Sequence, residues 1–298
     1  MSDRSIFGLS AALVTPFSAD GSVDHARLVK HAHHVLAEGC DTVTVFGTTG
    51  EGYGLSLAER AGMFGALEGS GIEASRSLYA GVSSAIADDA VEQARLALGA
   101  GVRGLLFAPP FYLKGVDDEG LFAWFSNTFE RIGGALRGVI LYHIPGQTAV
   151  PLSIDLVGRL KRAFPGVVTG VKDSSGQWEN TEALLAQHGE LSILVGDERQ
   201  LARAMQAGGE GSICGLANLA PGLMRTLIYS GEGGKLVEDL VGMILKNPVL
   251  PTVKSLTGHL HGDAGFGRMR PPVSDLNADQ KAKVADAFDR ILATGGGG

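Results

Sequence analysis

The sequence predicts a (β/α)8 barrel, the TIM-barrel class of α/β fold, with a C-terminal helical extension. Three observations carry that expectation. Eight short apolar, β-prone runs recur at intervals of roughly 20 to 40 residues. Helix-like stretches alternate with them, which implies a parallel sheet. The runs are continuously apolar rather than alternating, as expected of strands covered on both faces. Eight such units point to a closed barrel rather than an open doubly wound sheet.

In chain order, strands are expected at Leu9–Val14, Thr42–Phe46, Leu78–Val82 and Gly104–Phe107, then at Val139–Tyr142, Val167–Val171, Ser192–Val195 and Gly211–Cys214. Asp24–Ala37 carries Leu28, Val29, Ala32, Val35 and Leu36 at helical spacing. Ala87–Leu98 repeats this with Ala90, Val91, Ala94 and Leu98. Ser153 is an expected N-cap for Ile154–Lys161, and Gly99 and Gly208 are expected C-terminal stops. Past residue 221 only helices follow, at Pro221–Ser230, Lys235–Lys246, Leu250–Gly258 and Ala278–Ala293. The expected division is a barrel over 1–222 and a helical module over 223–298 packed on it.

Composition narrows the function classes. The 298 residues are 45% apolar and 19% charged, with a formal net charge of −7. No Lys/Arg cluster stands out, which argues against nucleic acid and against an anionic membrane surface. No run approaches about 18 uninterrupted apolar residues, so no membrane span is expected. The first residues lack a basic region followed by a long apolar one, so no signal peptide is expected. Cys40 and Cys214 are far apart and outside any CxxC pair, which fits a reducing cytoplasm and no metal framework. Gly295–Gly298 reads as a disordered tail.

In a barrel of this class, chemistry belongs at the C-terminal strand ends. Lys172 ends the apolar run Val167-Val168-Thr169-Gly170-Val171, which places its amine at the barrel mouth. Lysine is rarely buried unpaired. Either it pairs with a carboxylate such as Asp173 or snorkels to solvent, or it is a Schiff-base nucleophile. Desolvation favours the neutral, nucleophilic amine. Tyr142 ends the neighbouring strand at similar depth, where a phenol can move protons between amine, carbinolamine and substrate hydroxyl. A core tyrosine with a satisfied hydroxyl is the plain alternative. Because side chains alternate along a strand, His143 should then face the helices. The loop Gly47-Thr48-Thr49-Gly50-Glu51-Gly52 sets two hydroxyls among glycines, where successive N–H groups can cradle an anion. Glu51 would repel an anion if it pointed inward, so it is expected to hold the loop through backbone hydrogen bonds.

With these residues in place, the chain resembles the N-acetylneuraminate lyase / dihydrodipicolinate synthase superfamily of class I pyruvate-dependent aldolases. The matching segments are collinear. They are Ala12-Leu13-Val14-Thr15-Pro16-Phe17, Gly47-Thr48-Thr49-Gly50-Glu51, Pro110-Phe111-Tyr112, Leu141-Tyr142-His143-Ile144-Pro145, Gly170-Val171-Lys172-Asp173, Gly196-Asp197 and Gly208-Gly209-Glu210-Gly211-Ser212. Asn247-Pro248, Val253-Lys254 and Arg270-Pro271 continue the match. The resemblance implies an imine between Lys172 and pyruvate or another 2-oxo acid, with Tyr142 as proton shuttle. It implies that Thr48 and Thr49 bind the substrate carboxylate, with Gly47, Gly196 and Ser212 completing the candidate substrate set. It implies that Tyr112 completes a relay across a dimer interface of a homotetramer. No metal or organic cofactor is implied, because the protonated imine is itself the electron sink.

One departure limits the substrate. Where the synthase has an arginine two residues after the proline, this chain has Gln147, and Thr148-Ala149 replaces the usual threonine-glycine. Exchanging a charged fork for a neutral amide could cost a carboxylate-bearing substrate roughly 2–4 kcal/mol, about 30- to 1000-fold. A 2-keto-3-deoxy sugar acid or hydroxy-2-oxo acid is therefore expected in preference to aspartate semialdehyde. Dihydrodipicolinate synthase and N-acetylneuraminate lyase stay open as alternatives. So do a phosphate- or flavin-binding barrel using Gly208–Gly215 and a non-catalytic keto-acid sensor.

Overall fold

The computed structural model describes residues 6–295. Eight parallel strands close into a barrel in chain order, the first pairing with the last. They are β1 (Gly8–Ala12), β2 (Thr42–Val45), β3 (Leu78–Val82), β4 (Gly104–Phe107), β5 (Val139–His143), β6 (Val168–Asp173), β7 (Ser192–Val195) and β8 (Gly211–Cys214). The principal helices are α1 (His25–Ala37), α2 (Leu57–Gly69), α3 (Ala87–Gly99), α4 (Asp118–Ile132), α5 (Ile154–Ala163), α6 (Trp178–His188), α7 (Leu201–Gln206) and α8 (Pro221–Ser230). Beyond the barrel come α9 (Gly234–Leu245), α10 (Val249–His261) and α11 (Ala278–Gly295). No helix among the described residues is long and apolar enough to cross a membrane.

Several expected boundaries move for local reasons. Strand β1 stops at Ala12 rather than Val14, because the Val14 N–H leaves the ladder for the Asn218 side chain. Strand β2 stops at Val45 because Phe46 turns to a φ of 62°. Strand β6 starts one residue later and ends two residues later than expected, so Lys172 lies inside the ladder opposite Tyr142. Gly99 is the last residue of α3 and not its stop. The chain turns at Gly101, with φ 80°, whereas Gly208 does follow α7 in that conformation, with φ 95°. Asp24 and Ser153 cap α1 and α5 through their side chains. The expected division at 222/223 falls inside α8, which completes the eighth strand–helix unit. The glycine tail beyond Gly295 lies outside the described residues.

Packing separates two apolar layers. Ala12, Leu106, Ala108, Ile140, Tyr142, Leu194 and Ile213 meet within the barrel, while the larger cluster lies between strands and helices. A polar strut crosses the outer layer at the β1–β8 seam. Asn218 donates to the carbonyls of Ala12 and Gly215 and accepts from the Val14 N–H. The amide oxygen is thereby fixed as the atom facing His31 Nε2 at 3.0 Å, so that nitrogen carries the proton. The remaining His31 nitrogen accepts from His261 Nε2 at 3.0 Å.

Burial lowers His31 from 6.5 to about 3. The unfolded chain therefore takes up a proton below pH 6.5 that the folded chain refuses, and stability falls as the pH drops from 6.5 towards 3. At pH 5 this one group costs about 2 kcal/mol relative to pH 7. Urea unfolding at the two pH values measures it. A His31→Gln variant, which keeps a donor towards Asn218, should show a shallower pH dependence.

Candidate active site

The β5–β6 register sets the centre of the site. Tyr142 and Lys172 are paired residues on adjacent strands, and His143 and Asp173 are the next pair. Strand alternation sends the first pair into the barrel and the second towards the helices. Lys172 Nζ donates to Tyr142 Oη at 3.3 Å, and Thr48 Oγ1 lies 3.3 Å from the same phenol oxygen. Both Lys172 and Tyr142 are almost fully buried, at 5% and 6% exposure.

Asp173 does not pair with the lysine. Its carboxylate accepts from Asn180, Thr181 and the Ser175 N–H. Among the described residues no carboxylate forms an ion pair with Lys172. His143 faces the helical layer, where its Nδ1 accepts from the Leu152 N–H, and burial lowers it below the usual imidazole range. Room for the lysine is made by Gly196: a Cβ there would stand 1.9 Å from Ser174 Oγ and 3.0 Å from Lys172 Cε.

The Gly47–Gly52 loop is rigid for reasons spread over the chain. Phe46 and Glu51, with φ of 62° and 54°, hold left-handed conformations at its ends. The Gly52 N–H closes on the Gly47 carbonyl, and Thr15 donates to the Gly50 carbonyl. Gly52 and Gly81 must lack side chains, because a Cβ at either would meet the Phe46 carbonyl oxygen at 2.0 or 2.2 Å. Among the described residues the N–H groups of Thr48 and Thr49 donate to no protein acceptor, so both can serve a bound anion.

Glu51 does hold the loop, but not through backbone hydrogen bonds as expected. Its carboxylate pairs with Lys254 Nζ at 2.6 Å, and both side chains are buried. Sequence reasoning also passed over Arg60. It is buried on α2 and donates to the carbonyls of Gly52, Gly81 and Leu55, with its guanidinium over the Phe46 ring. Burial lowers it to about 10.

Two adjoining chambers share Thr48, Tyr142, Ile144 and Gln147 as their common wall. The first, about 240 Å³, lies on the β2–β4 side and takes in Gly47, Tyr53, Leu106 and Phe111. The second, about 370 Å³, contains Lys172, Thr49, Gly196 and Glu198 and reaches α9 and α10. The site thus gathers Thr48, Thr49, Tyr142, Gln147, Lys172 and Gly196, with Gly47 alongside.

It does not gather Ser212 or Tyr112. Ser212 is fully buried and donates to the Val195 carbonyl; Ile213, its neighbour, is the β8 residue that points inward. Tyr112 is 82% exposed, lines neither chamber, and has a φ of 95°. Of Gly208–Gly215, only Cys214 and Gly215 line the second chamber, and Glu210 is engaged by Ser192. Among the described residues no three His, Cys, Asp or Glu side chains are placed to hold a metal ion.

An amine buried against a phenol at the mouth of a closed (β/α)8 barrel is the arrangement of a class I, Schiff-base-forming lyase. The comparisons agree. The sequence profile of the dihydrodipicolinate synthetase family matches residues 5–291, and the chain belongs to that family. It is a lyase of the Schiff-base class. Among similar proteins, an uncharacterized DapA-like lyase of Chloroflexus aurantiacus is 32% identical over 96% of this chain and 97% of its own length. A 4-hydroxy-tetrahydrodipicolinate synthase of Anaeromyxobacter is 31% identical over 97% and 98%. The crystal structure of dihydrodipicolinate synthase from Agrobacterium tumefaciens superposes with a TM-score of 0.93 at 47% identity, covering 96% and 99%.

Proposed function

We propose that this chain cleaves or forms hydroxy-2-oxo acids through an imine on Lys172. The observation that carries the reading is the short relay Lys172–Tyr142–Thr48, with 3.3 Å at each step and no carboxylate paired to the amine. The Lys172 amine adds to the C2 carbonyl and water departs, leaving the imine. Tyr142 takes the proton of the C4 hydroxyl while the C3–C4 bond breaks. The bonding pair passes into the imine as an enamine and an aldehyde is released. Protonation at C3 and hydrolysis then return pyruvate and the free amine. Thr48 and Thr49 hold the C1 carboxylate through hydroxyl and N–H donors. Gly47 and Gly196 leave room for the bound acid. No metal or organic cofactor takes part.

Tyr112 is strained and exposed, and it lines neither of the two chambers. We place it in the site of a second copy, within a homotetramer of a cytoplasmic enzyme. Borohydride reduction with pyruvate tests the core reading: a pyruvate adduct on the peptide containing Lys172 is expected, and an unchanged mass would overturn it.

The finer reading is a 2-keto-3-deoxy sugar acid or another hydroxy-2-oxo acid. Gln147 supports it, because it lines both chambers where a clamp for a second carboxylate would need charge. The second reading is dihydrodipicolinate synthase, favoured by the names of the Anaeromyxobacter and Agrobacterium relatives. The two separate on Gln147→Ala. Under the first reading it alters the ranking of substrates and leaves pyruvate trapping intact. Loss of trapping with the ranking preserved would place Gln147 at the imine instead.

A further inference from the structure

The chamber that holds Lys172 has an unusual far wall. Val241 and Ile244 of α9, with Leu250 and Val253 of α10, present an apolar surface to it, continued at its rim by Leu245 and Val249. The wall begins next to the carboxylate cradle. A Cβ on Gly215 would stand 3.7 Å from Thr49 Oγ1 and 4.0 Å from Val253 Cγ2. The space beside Gly215 is thus bordered by Thr49 on one side and by the aliphatic carbon of Val253 on the other.

The cation on this side besides Lys172 is engaged. Arg199, the one cation besides Lys172 among the lining residues, donates through Nε and Nη2 to both oxygens of Asp197, at 2.9 and 2.6 Å. Glu198 is buried, accepts from the Leu216 N–H at 2.9 Å, and has no cation paired to it among the described residues. Burial raises its carboxyl above the usual glutamate range, against the opposing pull of the Lys172 amine. Gln147 is neutral. Among the lining residues nothing offers a free positive charge to a second carboxylate, and the polar side chains, Ser174, Ser175 and Asp197 with Gln147 and Glu198, stand on the strand side, opposite the aliphatic wall.

We propose that the distal part of the substrate is uncharged and apolar: a 4-hydroxy-2-oxo acid carrying an alkyl or aryl group beyond C4, seated against Val241, Ile244, Leu250 and Val253. This rests on the imine reading and narrows it away from polyhydroxylated sugar acids. Burying an aliphatic or aryl group against such a wall favours the apolar tail by roughly tenfold to a hundredfold over a tail that must shed its hydration.

The test uses the full-length protein and three 4-hydroxy-2-oxo acids that differ only beyond C4, bearing a phenyl, a polyhydroxylated or a carboxymethyl group. Pyruvate release is measured for each. The phenyl compound should have the highest kcat/KM, by at least tenfold. In Leu250→Asp that advantage should collapse, while a pyruvate adduct on Lys172 still forms under borohydride. Position 250 lies in the first turn of α10, where a carboxylate favours the helix, so the variant should fold. Trapping with pyruvate together with a preference for the polyhydroxylated or carboxylated compound would overturn the apolar tail alone. A ranking untouched by Leu250→Asp would overturn it too. Absence of any pyruvate adduct would overturn the imine reading and the tail with it.

Discussion

Lys172→Met should abolish borohydride trapping of pyruvate and lower kcat by on the order of 10⁴-fold or more, with little change in stability. The nucleophile has no substitute, since no second amine lies within reach of Tyr142 in the chamber. Stability should survive because, among the described residues, the one hydrogen-bond partner of Lys172 is the Tyr142 phenol, which keeps Thr48. Methionine matches the stem of the lysine and removes only the charge-bearing end. Tyr142→Phe should behave differently. It should retain trapping and lose about 10²- to 10⁴-fold in turnover, the usual worth of a positioned acid–base group. Mass spectrometry after reduction and a coupled pyruvate assay separate the two. If Lys172→Met still trapped pyruvate, the imine would lie on another lysine.

Lys254→Met should cost about 3–5 kcal/mol, because it leaves the Glu51 carboxylate buried without its partner. Thermal unfolding should show a fall of about 10 °C. Lys254 is 0% exposed and also lies over the Phe17 ring at 4.3 Å, so solvent cannot replace what is lost. The effect should also reach the reaction: the loop released is the one carrying Thr48 and Thr49, so the KM for pyruvate should rise. Removing both charges, with Glu51→Gln and Lys254→Met together, should recover part of the stability, since an uncharged pair carries less desolvation cost. A double variant less stable than the sum of the singles would show that the pair is not coupled as described.

What could be read from the sequence follows from how local the cause is. Strand periodicity is local, so all eight strands and the C-terminal helices were legible, and Lys172 and Tyr142 with them, because each ends an apolar run. Side-chain parity is also local. It placed His143 correctly, and applied to β8 it would have turned Ser212 away from the site once Ile213 pointed inward. The misses have distant causes. Glu51 and Lys254 are 203 positions apart, and nothing near Glu51 announces its partner. Arg60 looks like a surface residue of an amphipathic helix; three carbonyls converging from the loop after β2 and from β3 make it a buried strut. The left-handed turn at Phe46 reflects crowding by Gly52 and Gly81, which only the closed barrel brings together. Glu198 and the apolar wall belong to the same class, because α9 and α10 meet the β7 and β8 ends only in the folded chain.

The Glu51–Lys254 bond also imposes an order in time. A ribosome releases Lys172, Tyr142 and the threonine loop well before it reaches Lys254. Even a nascent chain whose barrel has already closed would display an unneutralised carboxylate behind Thr48 and Thr49. Such a chain would hold 2-oxo acids poorly until α10 docks. Synthesis through α10 thereby becomes a condition for chemistry, and chains truncated before α10 should be inert towards pyruvate even where their barrel persists.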